Sequence, residues 1–128
     1  MPSSQTTVYP FIRYGGIWTL SQVTDAVANT AWTQLPQLYA WGYNFYGGLG
    51  LNNTTNYSSP KQVGSSTTWS YISNGWYHTA AIKSDGTLWT WGRNNYGQLG
   101  LGNTTDYSSP KQVGALTNWS SVFSAYST

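Results

Sequence analysis

The chain repeats itself. The stretch WGYNFYGGLGLNNTTNYSSPKQVGSSTTWS beginning at Trp41 returns without a gap as WGRNNYGQLGLGNTTDYSSPKQVGALTNWS beginning at Trp91. A period of about 50 residues marks an architecture in which each supersecondary unit buries its apolar face against a neighbouring copy. At 128 residues the chain reads as one domain with room for a real core.

Inside the unit the signals are those of strands. Trp69-Ser70-Tyr71-Ile72 alternates large apolar with smaller residues, and Gly75 follows as at a strand end. Thr79–Ile82 and Leu88–Trp91 flank Lys83-Ser84-Asp85-Gly86-Thr87, where Asp favours the turn and Gly supplies the positive φ of a bulged hairpin loop. Beyond Gly92 come Gly97, Gly100 and Gly102, too closely spaced for a regular element. Lys111-Gln112-Val113 then reads as a short strand whose preceding Pro110 suits an edge or a strand start. The predicted unit is strand, hairpin, glycine-bearing loop, short strand. An aromatic content of 17%, with 8 Trp and 11 Tyr, agrees with a β-rich fold.

These motifs resemble the regulator of chromosome condensation repeat. The resemblance rests on His78-Thr79-Ala80-Ala81-Ile82, on Ser84 to Gly92 (SDGTLWTWG), on Gly97 to Gly102 (GQLGLG) and on Pro110-Lys111-Gln112-Val113, and it covers about residues 38–128. It implies a β-propeller of four-stranded blades. The expected fold is all-β: partial propeller blades from repeats of about 50 residues, preceded by a short N-terminal helical segment.

The helical expectation comes from Ser21 to Ala28. Ser21 is able to cap, Asp25 sits in the first turn, and Leu20, Val23 and Val27 share one face. The surrounding Gly16–Leu20, Ala26 and Trp32 also look like a short module that precedes such repeats in structural proteins of tailed phages, a resemblance over about residues 14–42. The expected organisation is residues 1–37 as a docking or assembly segment and 38–128 as an incomplete repeat array, divided into 38–87 and 88–128. In this reading Gln34–Gln37 do not reproduce the first strand and turn of a blade, so one blade begins half-made. Trp119–Val122 match Trp69–Ile72, so another is left unfinished.

Catalytic chemistry finds little to work with. His78 is the only histidine, and the only acids are Asp25, Asp85 and Asp106. Asp85 serves a turn, Asp106 replaces Asn56 of the other copy, and no nucleophile-elbow motif accompanies any serine. No pair of carboxylates flanks a common bond position, as glycoside hydrolysis requires. Cysteine is missing, which removes disulfides and thiolate metal sites. The Asn-Thr-Thr segments at 53 and 103 carry too few acids for a calcium loop, and GQLGLG lacks the Lys-Ser/Thr of a phosphate cradle. No catalytic residue, metal or cofactor is predicted, and the chain is read as a non-enzyme.

Charge and hydropathy narrow the partners. Only 6% of residues are charged, and the cations Arg13, Lys61, Lys83, Arg93 and Lys111 are scattered, so no nucleic-acid footprint is expected. No apolar stretch approaches the roughly 20 residues of a bilayer span, and membrane insertion is not expected. Exposed aromatics beside Asn and Thr suit stacking on sugar faces, and Trp76, Tyr77, Tyr57 and Tyr107 are the candidate ligand or partner contacts. Trp18, Leu20, Trp32, Trp119 and Val122 are the candidate assembly contacts. The expected role is a structural or adhesive component of a bacteriophage particle, located in the virion and bound to copies of itself, preferably as a trimer, or to other virion proteins. The alternative is a lectin-like module that binds a host surface glycan. Regulation of a small GTPase, an activity that the resemblance also brings to mind, belongs to full propellers.

Overall fold

The computed structural model describes residues 6–8, 17–24 and 34–125, with side chains from Leu35 onward. Among the described residues, eight strands form two antiparallel four-stranded sheets. The first holds β1 (Thr6–Val8), β2 (Ile17–Thr24), β3 (Gln34–Gly42) and β4 (Tyr57–Gln62), side by side in chain order. The second holds β5 (Trp69–Asn74), β6 (His78–Lys83), β7 (Leu88–Gly92) and β8 (Tyr107–Gln112), in the same order. Register repeats with the sequence: Gly42 faces Tyr57 in the first sheet as Gly92 faces Tyr107 in the second. In both, a bulge precedes that glycine, which adopts φ of 109° and 106° respectively. These are two blades of a propeller.

The β6–β7 hairpin forms where the sequence places it, with Ile82 opposite Leu88. Gly86 turns at φ 82°, and its N–H donates to Lys83 O at 2.9 Å. The Asp85 carboxylate accepts from the Thr87 N–H at 3.0 Å and the Thr87 hydroxyl at 2.6 Å. β8 runs longer than expected, back to Tyr107, and carries Pro110 at the sheet edge, where the missing N–H is not needed by a ladder.

The first blade corrects two expectations. It is not half-made: β2 pairs with β3 through Ile17 opposite Ala40, Trp18 opposite Tyr39 and Thr19 opposite Leu38, and β1 pairs with β2. Strand β3 runs unbroken from Gln34 to Gly42. Ser21–Thr24 end strand β2 instead of opening a helix, and residues 25–28 lie outside the described residues. Ile17, Thr19, Val23 and Thr24 are β-branched and favour strand, and pairing with β3 supplies backbone partners that a costly short-helix nucleus must find within itself.

Alternation on the strands gives each sheet two faces. Leu38 and Ala40 of β3 pack against Trp69, Ile72, Ala81 and Trp91 of the second sheet, with Leu49 and Val63 completing the core between blades. Each large apolar side chain fully buried there contributes roughly 1.5–3 kcal/mol. The far face of the second blade presents Ala80, Ile82 and Leu88, and against it pack Trp119 and Val122. Residues 119–125 are anchored by the Trp119 N–H on Gly86 O (3.1 Å) and the Ser124 N–H on Ser73 Oγ (2.9 Å). Trp119 and Val122 therefore sit on the second blade as Trp69 and Ile72 sit on the first.

Candidate functional site

The loops after β3 and β7 are held by one asparagine each. Asn44 is 1% exposed and Asn94 0%. The Asn94 amide donates to Asn103 O (3.0 Å) and Thr105 O (2.9 Å), while its Oδ1 accepts from the Leu99 N–H (3.0 Å). Asn44 makes the same bonds to Asn53 O, Thr55 O and the Leu49 N–H. Asn56 and Asp106 accept the Asn44 and Asn94 backbone N–H, each at 2.7 Å, so amide and carboxylate do one job in the two copies. Sequence reasoning missed both asparagines; their recurrence at the same place in each copy was the available signal.

On this frame stands an aromatic rim. The turn between β5 and β6, closed by the Gly75 N–H on His78 O at 2.9 Å, raises Trp76 and Tyr77. Tyr77 meets Tyr43 at 5.8 Å and Tyr46 at 5.0 Å between ring centroids, and Trp76 at 6.3 Å. Phe45 stacks on Tyr43 and meets Tyr46 edge-on. The Arg93 guanidinium lies 4.5 Å from the Tyr46 centroid and 5.6 Å from that of Tyr77. Trp76 (50%), Tyr43 (51%), Phe45 (63%) and Tyr96 (74%) remain widely exposed, in a cluster that spans both blades.

Beside these rings a cleft of about 100 Å³ runs between Trp76, Tyr77 and His78 on one side and Arg93, Asn95, Tyr96 and Gln98 on the other. Burial holds the His78 imidazole below its ordinary pKa, so it is neutral at pH 7. Desolvation pushes the Tyr43 phenol up, assisted by Tyr46 and Tyr77 and opposed by Arg93, so it stays protonated. Among the described residues, no three His, Cys, Asp or Glu side chains converge as a metal site. The surface offers rings, neutral hydrogen-bonding groups and one cation, Arg93, among the described residues.

Of the four residues expected to contact a ligand, Trp76 and Tyr77 are in this rim. Tyr57 and Tyr107 are not: each is half-buried, accepts from Asn53 or Asn103 (3.0 and 3.1 Å), and is crossed by Lys61 or Lys111. They brace the loops. The rim residues overlooked in the sequence include Tyr43, Phe45, Tyr46, Arg93, Asn95 and Tyr96. Of the assembly candidates, Trp18 and Leu20 lie on β2 and Trp32 lies outside the described residues. Trp119 and Val122 are half-buried on the second blade.

A second surface is the one by which blades join. The Gly48 carbonyl accepts from Trp91 Nε1 and Thr79 Oγ1, both at 2.9 Å, and the Asn52 N–H donates to Ser108 O at 2.7 Å. A Cβ on Gly47 would lie 2.5 Å from Ser108 Cα, and one on Gly50 2.7 Å from Trp91 Nε1. Only glycine admits the next blade so closely.

A model of the regulator of chromosome condensation (RCC1) repeat matches residues 37–82 and again 85–127. The chain belongs to the RCC1 repeat family. A second model of the RCC1 repeat matches residues 70–98. Among solved structures, human WBSCR16 is similar at a TM-score of 0.61 and 24% identity, over 88% of this chain and 28% of that one. The structure of Kap60 bound to yeast RCC1 (Prp20) is similar at 0.61 and 17% identity, over 84% of this chain and 26% of that one. The chain thus spans under a third of each, and the likeness establishes the RCC1-type fold. A search of curated proteins found no match.

Proposed function

We propose that this chain is a non-catalytic structural or adhesive component of a bacteriophage particle, assembled through the contacts by which its own two blades join. The observation that carries the assembly is a difference between two nearly identical loops. In the first, Gly47 and Gly50 are filled by Ser108 and Trp91 of the following blade. In the second, a Cβ on Gly97 would have only Asn103 O at 4.0 Å, one on Gly100 only Val113 Cγ1 at 3.6 Å, and one on Gly102 nothing within 4 Å. The second loop keeps two glycines of a blade contact, Gly97 and Gly100, with Gln98 in place of Gly48, and has no blade on it among the described residues.

The occupant we propose is a second copy of the chain, whose blades carry the sequence that fills the first loop. Identical head-to-tail contacts close into rings, and three chains of two blades each make a ring of about six blades, within the range of propellers. The phage setting is supported by the resemblance of residues 14–42 and by a surface with few charges. Mass photometry and sedimentation at micromolar concentration test the assembly: a trimer is expected, and a stable folded monomer overturns it. Mass spectrometry of purified particles tests the setting, which fails if the chain is not present at fixed stoichiometry.

A further inference from the structure

Between Trp41–Gly64 and Trp91–Gly114 the copies differ only at 43/93, 45/95, 48/98, 52/102 and 56/106. The last pair is equivalent in the fold, since both side chains accept the same backbone N–H. The first three pairs are Tyr against Arg, Phe against Asn and Gly against Gln, and all six residues lie in or beside the rim. Strands, the glycines at 47/97 and 50/100 and the bracing asparagines are held constant, while positions 43/93 and 45/95 change from aromatic in the first loop to polar in the second. Packing explains the third pair, since a Cβ on Gly48 would lie 3.2 Å from Tyr77 O, but not the first two, because Tyr43, Phe45 and Asn95 are exposed. A surface that varies on a fixed scaffold is where recognition resides.

We infer that the rim binds a neutral glycan, with a sugar ring laid on Trp76 and its hydroxyls bonded by Asn95, Gln98 and His78. A pyranose has an apolar C–H face and a polar hydroxyl edge, and the rim has rings on one side and carboxamides on the other. Neutral His78 offers one donor and one acceptor, which suits hydroxyls that do both. Among the described residues that line the cleft, Arg93 is the single cation and the rest are neutral, a lining that matches a neutral ligand more closely than a multiply charged anion. At about 100 Å³ the cleft is far below the roughly 300–1,000 Å³ that enclose a drug-sized ligand. It suits an open platform that takes one sugar ring at a time. This inference goes beyond the assembly role and does not depend on it.

The test is the full chain on an array of neutral hexose and N-acetylhexosamine oligosaccharides, with acidic glycans and a proline-rich peptide printed beside them. Binding to neutral glycans is expected, and Trp76→Ala and Asn95→Ala should each weaken it at least tenfold while melting temperature and particle mass stay unchanged. Leu116→Ala, at an exposed position that lines neither the cleft nor the rim, should bind normally. An array silent for neutral glycans, binding only to acidic glycans or to the peptide, or binding indifferent to both rim variants overturns the inference. Because mass is measured on the same samples, a failure of assembly is told apart from a failure of sugar binding.

Discussion

Asn94→Asp exchanges an amide for a carboxylate of nearly the same shape, so its effect isolates hydrogen bonding from packing. The Leu99 N–H keeps its acceptor. The other oxygen, however, now faces Asn103 O, Asn103 Oδ1 and Thr105 O, which sat 3.0, 3.1 and 2.9 Å from a donor. Two backbone carbonyls lose their partner at roughly 1–3 kcal/mol each, toward the lower end because the two bonds are only part-buried. The carboxylate is also desolvated at a position that is 0% exposed, which adds a further penalty while it is ionised. A total of about 3 kcal/mol at pH 7 corresponds to a fall of roughly 10 °C in melting temperature for a domain of this size. Burial among acceptors raises the folded-state pKa of the new acid above its unfolded value. The protonated variant is therefore the more stable one: its deficit is least below the unfolded pKa and grows as pH rises toward the folded pKa. Thermal unfolding followed by near-ultraviolet circular dichroism from pH 4 to pH 8 measures both the fall and its slope. A difference from the native chain under about 1 kcal/mol at pH 7, or one that shrinks as pH rises, would refute the assigned role of Asn94.

Trp91→Ala removes a fully buried indole that donates to Gly48 O across the blade contact, and should lower stability by about 3–5 kcal/mol; an unchanged urea midpoint would show that the inter-blade core is misassigned. Gly86→Val should destabilise on two counts, since Gly86 turns at φ 82° and its Cβ position is occupied by the Thr117 carbonyl; a native melting curve would contradict both. The Asp85 carboxylate is held below its usual range first by the Thr87 hydroxyl and then by the Thr87 N–H. Its contribution is present above the unfolded pKa and lost as pH falls through the folded one, so Asp85→Ala should melt below the native chain at pH 7 and converge with it in acid. Equal melting temperatures at pH 7 would remove the assigned turn role.

The repeat, the β6–β7 hairpin and its Asp85-Gly86 turn were legible because each is a local signal: periodicity, alternation, and a residue suited to positive φ. The first two strands of the first blade were not. β1 and β2 share no motif with β5 and β6, and Gln34–Gln37 become strand only because β2 lies beside them with a bulge between Leu20 and Gln22. The helix expected at Ser21–Ala28 rested on a capping residue and a three-residue apolar face, weak local preferences that long-range pairing overrides at Ser21–Thr24. Trp76 and Tyr77 were found as surface aromatics from their place between strands. Tyr57 and Tyr107 look alike in sequence, but Asn53 and Asn103 turn them into loop braces, a contact that forms only after the loop closes. Tyr43, Phe45, Arg93 and Asn95 were unremarked because the rim they build crosses from one blade to the next.

Three indoles of the second blade form a coupled array. Trp69 and Trp91 lie 5.7 Å apart at 59°, and Trp69 and Trp89 6.4 Å apart at 82°. The Lys83 ammonium rests over Trp69 and Trp89, at 4.9 and 4.1 Å from their centroids. Chromophores this close and mutually skewed share their excitations, and the sense of the skew imprints a signed couplet on circular dichroism. All three stand on β5 and β7, so that couplet reports side-chain packing within the second blade instead of strand content. A chain whose strands persist while these side chains loosen would keep its amide spectrum and lose the couplet. The protein carries an optical gauge of its own tertiary packing, readable without any added label.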